Sequence, residues 1–299
     1  MRVGIDLGGT KIAGVVLDAV DGKRAELRVP TPQGNYAATV ASVAALVTCL
    51  EAGAQARALC VGIGHPGSEA PGTGLIRNAN STCLNGRPLR RDLEAALGRP
   101  VAMANDANCL ALSELHGGAG DGASPMFAVI LGTGVGGALA VDGRVVTGAQ
   151  AIAGEWGHNP LPWQRPEWGE LDGPRCWCGQ RGCIEAWLSG VGLAADHLRV
   201  TGEELSGEAI VACAARRETA AVATLARYED RLARALAQII NLFDPQVIVL
   251  GGGLSRIRRL YEDVPARWSK WVFGGRVATR LVPARFGDAS GVRGAAFLV

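Results

Sequence analysis

Short unbroken apolar runs alternate with helical stripes along this chain. Residues 2–6 read as a buried strand, Leu7-Gly8-Gly9-Thr10 as a turn, 11–17 as a second strand and 24–29 as a third, so the chain opens on a hairpin-first sheet. Val40, Val43, Ala44, Leu46, Val47 and Leu50 recur at helical spacing and predict a helix over 36–51. A strand at 58–63, a short helix at 91–97 and a strand at 101–104 follow. Asn105-Asp106 then opens a helix running through about 116. The opening pattern recurs in the middle of the chain: an apolar strand at 126–131, a turn Gly132-Thr133-Gly134-Val135-Gly136-Gly137, and a returning strand at 138–141. A loop over 164–175 leads to a cysteine cluster. A long amphipathic helix over 220–243 stops at Asp244-Pro245, because proline disfavours helix at the residue before it. A buried strand at 247–250 runs into Gly251-Gly252-Gly253 and a further helix, and 291–298 closes the chain as a helix. Strand, glycine turn, strand occurring twice predicts two related α/β domains, 1–105 plus 288–299 and 106–287.

With 299 residues and 48% hydrophobic content, the chain can bury a large core. The balance of 30 basic and 28 acidic residues leaves no basic footprint for nucleic acid. The pairs Arg90-Arg91, Arg216-Arg217 and Arg258-Arg259 read as solvated helix faces. The first residues enter a strand pattern rather than a signal peptide. No apolar run is expected to reach the roughly 18 residues that span a bilayer. Eight cysteines without a secretory signal then suggest reduced thiols plus a metal site, and a cytoplasmic location with no membrane partner.

Three of those cysteines cluster. Cys176, Cys178 and Cys183, spaced C-x-C-x4-C, with His158 upstream, make a complete Cys3His zinc set. Four protein ligands close the coordination sphere, so such a zinc is structural; the alternative is incidental thiols. Glu155 and Glu185 flank the ligands, where a pinned loop would hold both rigid.

Asp6-Leu7-Gly8-Gly9-Thr10-Lys11 is a candidate phosphate loop. Missing β-carbons let backbone N–H groups converge on an anion, and Asp6 can hold Mg2+ directly or through water. An ordinary glycine hairpin is the alternative, weakened by the second loop, Gly132-Thr133-Gly134. Gly132-x-Gly134-x-x-Gly137 and Gly62-x-Gly64-x-x-Gly67 match the dinucleotide fingerprint in letters, but neither is followed by the helix it requires. No P-loop sequence is present. Asp106, at a strand end opening a helix, is the candidate catalytic carboxylate, with a helix N-cap as the bland alternative. Asn78, Asn80, Ser81 and Asn85 form a polar loop able to contact a polyol or simply to face water. His65, His116 and His197 stand alone and receive no role.

Taken together, Asp6-x-Gly8-Gly9-Thr10-Lys11, Asn105-Asp106-Ala107-Asn108, Gly132-Thr133-Gly134-x-Gly136, Gly154-Glu155-x-Gly157-His158 and Cys176-x-Cys178-Gly179-x-x-Gly182-Cys183-Ile184-Glu185 resemble the ROK family of sugar kinases and repressors. Asn78-Ala79-Asn80-Ser81-Thr82 with Leu84-Asn85-Gly86, and 155–163, most resemble its bacterial fructokinase/mannokinase members. The resemblance implies a two-domain actin-like ATPase (ribonuclease H-like) fold with an ATP and sugar cleft between the domains. It implies Asp106 as catalytic base, with Asn105, Glu155, His158 and Glu185 contacting sugar and His158 also ligating zinc. The implied nucleotide side is Asp6, Gly8, Gly9, Thr10, Lys11, Gly132, Thr133, Gly134, Gly136, Gly251, Gly252 and Gly253. A departure stands at His65, where relatives often carry a small apolar residue. The expected reaction is ATP- and Mg2+-dependent phosphorylation of a free hexose at its C6 hydroxyl, with D-fructose favoured and mannose also accepted. N-acetylglucosamine kinase or glucokinase is the alternative, and a homodimer is implied. Family repressors carry an N-terminal helix-turn-helix for which a strand at Arg2 leaves no room, so a sugar-sensing repressor core is a remote alternative.

Overall fold

The computed structural model describes residues 1–299. The chain divides into two compact units, Met1–Asp121 with Arg144–Ala153 and Arg285–Val299, and Gly122–Gly143 with Gly154–Ala284.

In the first unit, β1 (Arg2–Leu7), β2 (Lys11–Leu17) and β3 (Lys23–Pro30) form an antiparallel meander. Helix α1 (Tyr36–Ala54) crosses over to β4 (Val61–His65), which lies parallel to β1. A small hairpin, β5 (Ser68–Glu69) and β6 (Ile76–Arg77), precedes α2 (Leu89–Leu97). Then β7 (Val101–Asn105) adds in parallel to β4, and α3 (Asp106–Leu115) starts where β7 ends. The sheet order is β3-β2-β1-β4-β7. Val43, Leu46, Val47 and Leu50 of α1 pack with Val3, Ile5, Val61 and Ile63 in one core. Helix α1 is itself long and apolar enough, by length and composition, to cross a membrane, which corrects the expectation that no run reaches that length. Its apolarity serves this core, and its Glu51 is tied to Arg99 at 2.7 Å.

The second unit repeats the plan. β8 (Met126–Leu131) and β9 (Val135–Val141) pair antiparallel. After them, β10 (Arg144–Val145) falls within the first unit. The helices α4 (Ile184–Leu188), α5 (Gly190–Thr201), α6 (Gly207–Ala215) and α7 (Thr219–Phe243) then lead to β11 (Val247–Gly251), parallel to β8. Helix α8 (Leu260–Asp263) and β12 (Arg280–Pro283), parallel to β11, complete it, so this unit's strands run β9-β8-β11-β12. Both units thus begin with a hairpin and continue with parallel strands, which need helical crossovers.

The sequence pattern misplaces some elements. The strand expected at 58–63 lies at Val61–His65, so His65 ends a strand inside the core. Gly136 and Gly137 lie in β9 rather than in the turn. Gly251-Gly252-Gly253 leads into a 3-10 turn, Gly253–Arg256, before the short α8. Helices α5 and α6 and strand β12 were not expected at all. Helix α7 does stop at Asp244, whose φ of 43° is left-handed.

The last helix, α9 (Ser290–Ala296), belongs to the first unit and seats on it backbone to backbone. A β-carbon on Gly4 would lie 2.5 Å from Ala296 N. One on Gly62 would fall on the Ala295 carbonyl, and one on Gly294 on the Cys109 carbonyl of α3. These glycines let α9 lie flush on β1, β4 and α3 together. Gly62→Ala is expected to cost about 3 kcal/mol, because two rigid backbones must part and no rotamer can relieve the clash. Gly53→Ala in α1 meets nothing within 4 Å and is expected to be neutral or stabilising by up to about 1 kcal/mol. Urea midpoints of the two variants check the contrast.

Candidate active site

The turn after β1 is built by hydrogen bonds to its own neighbours. Gly8 N–H donates to Lys11 O at 3.1 Å. Thr31 closes the turn from β3's end, its hydroxyl donating to Gly8 O at 2.7 Å and its N–H to Thr10 O at 3.0 Å. Gly8 is needed because a β-carbon would sit 2.9 Å from Lys11 O. Gly9 has no such excuse: a β-carbon there meets only Ser81 Oγ at 3.4 Å, an ordinary contact. Gly9, Thr10 and Lys11 are exposed. Below them Asp6 packs against Gly291 of α9, where a β-carbon would lie 2.8 Å from its Oδ2. Burial pushes the Asp6 carboxyl up, and Lys11 pulls it partly back. A buried carboxylate with so little cationic help suits a divalent cation.

At the end of β7, Asn105 takes the cap position that the sequence left open for Asp106. Asn105 Oδ1 accepts from Ala107 N–H at 2.9 Å, and its Nδ2 donates to Gly67 O at 2.9 Å. Asp106 is the first helical residue, and its Oδ1 accepts from Ala107 N–H at 2.8 Å. The amide of Asn105 therefore ties α3 to the loop after β4, and Asp106 is held at a helix N-terminus, where the dipole favours a carboxylate. The polar loop divides its labour. Asn85 holds Ala79 from both sides, accepting from its N–H at 2.9 Å and donating to its carbonyl at 3.0 Å, so Asn85 shapes the loop while Asn80 is exposed. A pocket of about 600 Å3 adjoins Asn105, lined among others by His65, Ser68, Glu69, Arg90 and Asn108. His65 is buried, with Nδ1 3.0 Å from Pro66 O, and burial lowers its pKa. Arg90, expected to be solvated, instead forks onto Glu69 at 2.6 Å and donates to Val101 O at 2.8 Å. Arg91 is the exposed member of that pair.

In the second unit, Gly132 N–H donates to Gly134 O at 3.0 Å, and Gly190 N–H to Gly132 O at 2.8 Å. The segment 154–158 lies against β9 through glycines on both sides. A β-carbon on Gly137 would be 2.5 Å from the Trp156 ring, and β-carbons on Gly154 and Gly157 would fall on the carbonyls of Gly137 and Val135. Gly136, read from sequence as a nucleotide-side residue, offers its carbonyl to the Trp156 indole N–H at 3.0 Å. This packing presents Glu155 and His158. Burial raises the Glu155 carboxyl above its ordinary value; His158 opposes the shift and Glu185 adds to it. Gly252, with φ of 82°, is pressed against Leu131 at the end of β8, whereas a β-carbon on Gly253 meets nothing within 4 Å.

His158, Cys176, Cys178 and Cys183 bring their ligand atoms within 4.8 Å of one another. Cys176 Sγ lies 3.6 Å from His158 Nδ1, and Cys178 Sγ 3.6 Å from Cys183 Sγ. A tetrahedral ion about 2.3 Å from sulfur and about 2.0 Å from nitrogen needs ligand atoms about 3.5–3.8 Å apart, so these residues fit zinc. His158 Nε2 points the other way, 4.0 Å from Glu155 Oε2. Glu185, two residues after Cys183, accepts from Val135 N–H at 2.9 Å and from the Trp177 indole N–H at 2.6 Å. The knuckle and the Gly132–Val135 loop therefore share one carboxylate.

The sequence reading missed a buried ionic network under this region. Glu170 receives Arg231 at 2.8 Å and Arg234 at 2.9 Å. Asp230 receives Arg234 and Arg165, both at 2.8 Å. Asp196 receives Arg227 at 2.8 Å and Arg231 at 3.1 Å. Arg234 also donates to Pro162 O and Trp163 O, pinning the loop that leads to the knuckle. Helix α7 thus buries a charged face. The available signal was Arg227, Arg231 and Arg234 recurring at helical spacing amid apolar neighbours.

The ROK family model matches residues 2–299. The chain belongs to the ROK family. It is 41% identical over 301 residues to a Pectobacterium atrosepticum protein named N-acetyl-D-glucosamine kinase, covering 100% of this chain and 98% of that one. Its fold resembles that of a ROK hexokinase from Thermus thermophilus (TM-score 0.87, 32% identity, 100% and 97% covered). It also resembles that of a ROK family glucokinase from Streptomyces griseus solved with glucose and AMPPNP (TM-score 0.80, 28% identity, 100% and 98% covered). The two mixed sheets are those of the actin-like ATPase fold of ROK kinases. The fructose expectation is overturned: further full-length relatives at 38–41% identity carry the N-acetyl-D-glucosamine kinase name. That expectation rested on the stretches 78–82, 84–86 and 155–163, and the names of the full-length relatives overturn it.

The network yields a pH prediction. Desolvation pushes the Asp196 carboxyl up, but Arg231, Arg199 and Arg227 outweigh it and hold it below the ordinary 3.8. A depressed carboxyl stabilises the fold above its unfolded pKa, and that stability is lost as pH falls through the folded pKa. Wild-type stability should therefore drop steeply below about pH 4. Asp196→Asn should start about 3 kcal/mol lower at pH 7, with Arg227 and Arg231 deprived of a buried carboxylate, and fall less steeply in acid. Urea midpoints at pH 7, 5 and 3 check both.

Proposed function

We propose that this chain is an ATP-dependent N-acetyl-D-glucosamine kinase that phosphorylates the C6 hydroxyl of the free sugar. The observation that carries the sugar assignment is 41% identity along the whole chain to a relative of that name. The chemistry rests on Asp106, a carboxylate held at the start of α3 by the Asn105 cap. Asp106 takes the C6 hydroxyl proton as the oxygen attacks the γ-phosphorus; the P–O bond to the β-phosphate breaks and ADP leaves. Asn80, Asn105, Glu155, His158 and Glu185 orient the sugar. Gly8 and Gly132 shape their turns with their own N–H groups, and the N–H groups of Gly9 to Lys11 and of Thr133 and Gly134 cradle phosphates, with Gly251 to Gly253 beside the nucleotide. Phosphoryl transfer asks little covalent chemistry of the protein, so positioning and charge neutralisation dominate. Mg2+ held near Asp6 would neutralise phosphate charge. His158 Nδ1 and the sulfurs of Cys176, Cys178 and Cys183 would hold a structural zinc, which with four protein ligands would stiffen the loop rather than act on substrate.

An ADP-release assay with N-acetylglucosamine, glucose, mannose and fructose tests the assignment; kcat/KM should be greatest for N-acetylglucosamine, and a preference for any other sugar overturns it. Asp106→Asn should lose about 10²- to 10⁴-fold in kcat with the fold retained by circular dichroism. Gly9→Ala should keep its stability and raise the KM for ATP, since only a ligand gives that position a reason to lack a β-carbon. Elemental analysis should find one zinc per chain, lost in Cys178→Ser; active wild-type enzyme free of zinc would refute the knuckle.

A further inference from the structure

We propose that Trp177 is a positioning residue of the sugar site, acting through Glu185. The inference rests on the kinase reading above and adds a residue that no motif marks. Trp177 sits between two of the knuckle's candidate sulfur ligands, Cys176 and Cys178. Its indole N–H donates to Glu185 Oε1 at 2.6 Å. The other carboxylate oxygen, Oε2, accepts from Val135 N–H at 2.9 Å. Glu185 is thus stretched between the knuckle and the loop after β8: Oε1 takes the Trp177 indole N–H with the Cys176 sulfur 4.0 Å away, and Oε2 takes Val135 N–H. A carboxylate oxygen has a second lone pair, so each can still receive a sugar hydroxyl. The Trp177 ring also meets the His158 imidazole edge to face, with centroids 5.0 Å apart at 89°. One side chain therefore braces two of the residues that orient the sugar.

Packing does not account for it. A tryptophan that fills a core buries its ring, whereas Trp177 is 61% exposed. Single exposed apolar side chains are common and say nothing alone. What distinguishes this one is that its only polar atom is spent on a short, charge-assisted bond to Glu185. Without that bond, Glu185 keeps Val135 but can rotate about it, and the oxygen facing the sugar loses its fixed direction. Val135 would still anchor the phosphate-loop side, so the defect should fall on sugar and spare the nucleotide.

Trp177→Phe keeps the ring and removes the N–H. Its KM for the sugar should rise about 10-fold, which is about 1.4 kcal/mol and fits the loss of one hydrogen bond to a charged group. kcat should stay within about 2-fold, and the KM for ATP and the bound zinc should be unchanged. Sugar titrated without ATP should alter wild-type tryptophan fluorescence, and that change should be diminished in Trp177→Phe. An unchanged sugar KM overturns the proposal. So does a rise shared equally by ATP, or one that comes only with lost zinc, since either marks a structural role. The wild-type sugar panel separates this from the kinase reading: Trp177 is judged on whichever hexose the wild type phosphorylates best, so a different preferred sugar refutes the sugar assignment and leaves the Trp177 test standing. A wild type that phosphorylates none refutes both.

Discussion

Backbone lying directly on backbone is the constraint from which the rest of this molecule is built. In the first unit, Gly4, Gly62 and Gly294 let α9 touch β1, β4 and α3 with no side chain between. In the second, Gly137, Gly154 and Gly157 do the same for the segment that carries Glu155 and His158. A side-chain contact can relax by changing rotamer; a carbonyl against an α-carbon cannot. Positions fixed this way are held to a few tenths of an ångström, which suits a reaction that depends on orientation more than on any single chemical group. Asp106 gains its place at one remove: α9 seats α3, α3 begins where β7 ends, and Asn105 ties that junction to Gly67.

Buried charge does for the knuckle what glycine does for the sheets. Arginines 231 and 234 are removed from water, and so is Glu170 between them. Burying ion pairs gains little net stability, because desolvation offsets the attraction. Such a network does impose direction, since each guanidinium has a planar fork that only one arrangement of acceptors satisfies. Arg234 spends its remaining donors on Pro162 and Trp163, so the loop entering the knuckle is held at a set angle by groups that cannot be left unpaired. The knuckle therefore rests on a rigid base on one side and on Glu185 and Val135 on the other.

What could be read from the chain beforehand follows the same physics. The two hairpins, α1, α7 and the Cys3His set were legible because each is a local pattern: a short apolar run, a 3.6-residue stripe, a ligand spacing. Helix α5 was missed because its buried face carries Asp196 and His197 while Val191, Leu198 and Val200 face outward, α6 because its apolar positions are mostly alanine, and β12 because it is a four-residue strand with an exposed arginine at its start. Gly136 and Gly137 were read as turn residues because their partner, Trp156, lies about 20 residues on. Asn85 was left open between contacting a polyol and facing water, and its amide instead holds Ala79 at both ends. For Gly136 and Gly137 the missing information was a contact that a short window along the chain does not contain.

That distinction explains why the reaction class was legible and the sugar was not. Phosphate, magnesium and zinc demand particular residue types at particular spacings, because charge and coordination geometry tolerate few alternatives. Telling one hexose from another asks only for a difference in shape or in one hydrogen bond, and any side chain the fold delivers can supply it. No such spacing marks Trp177 or the residues lining the pocket beside Asn105: an indole braced on a carboxylate, a buried histidine at a strand end, a serine, an arginine forked on a glutamate. None belongs to a motif, and several come together only after the β5–β6 hairpin folds over the end of β7. Motifs in such a chain name the chemistry, and the folded surroundings of that chemistry choose the substrate.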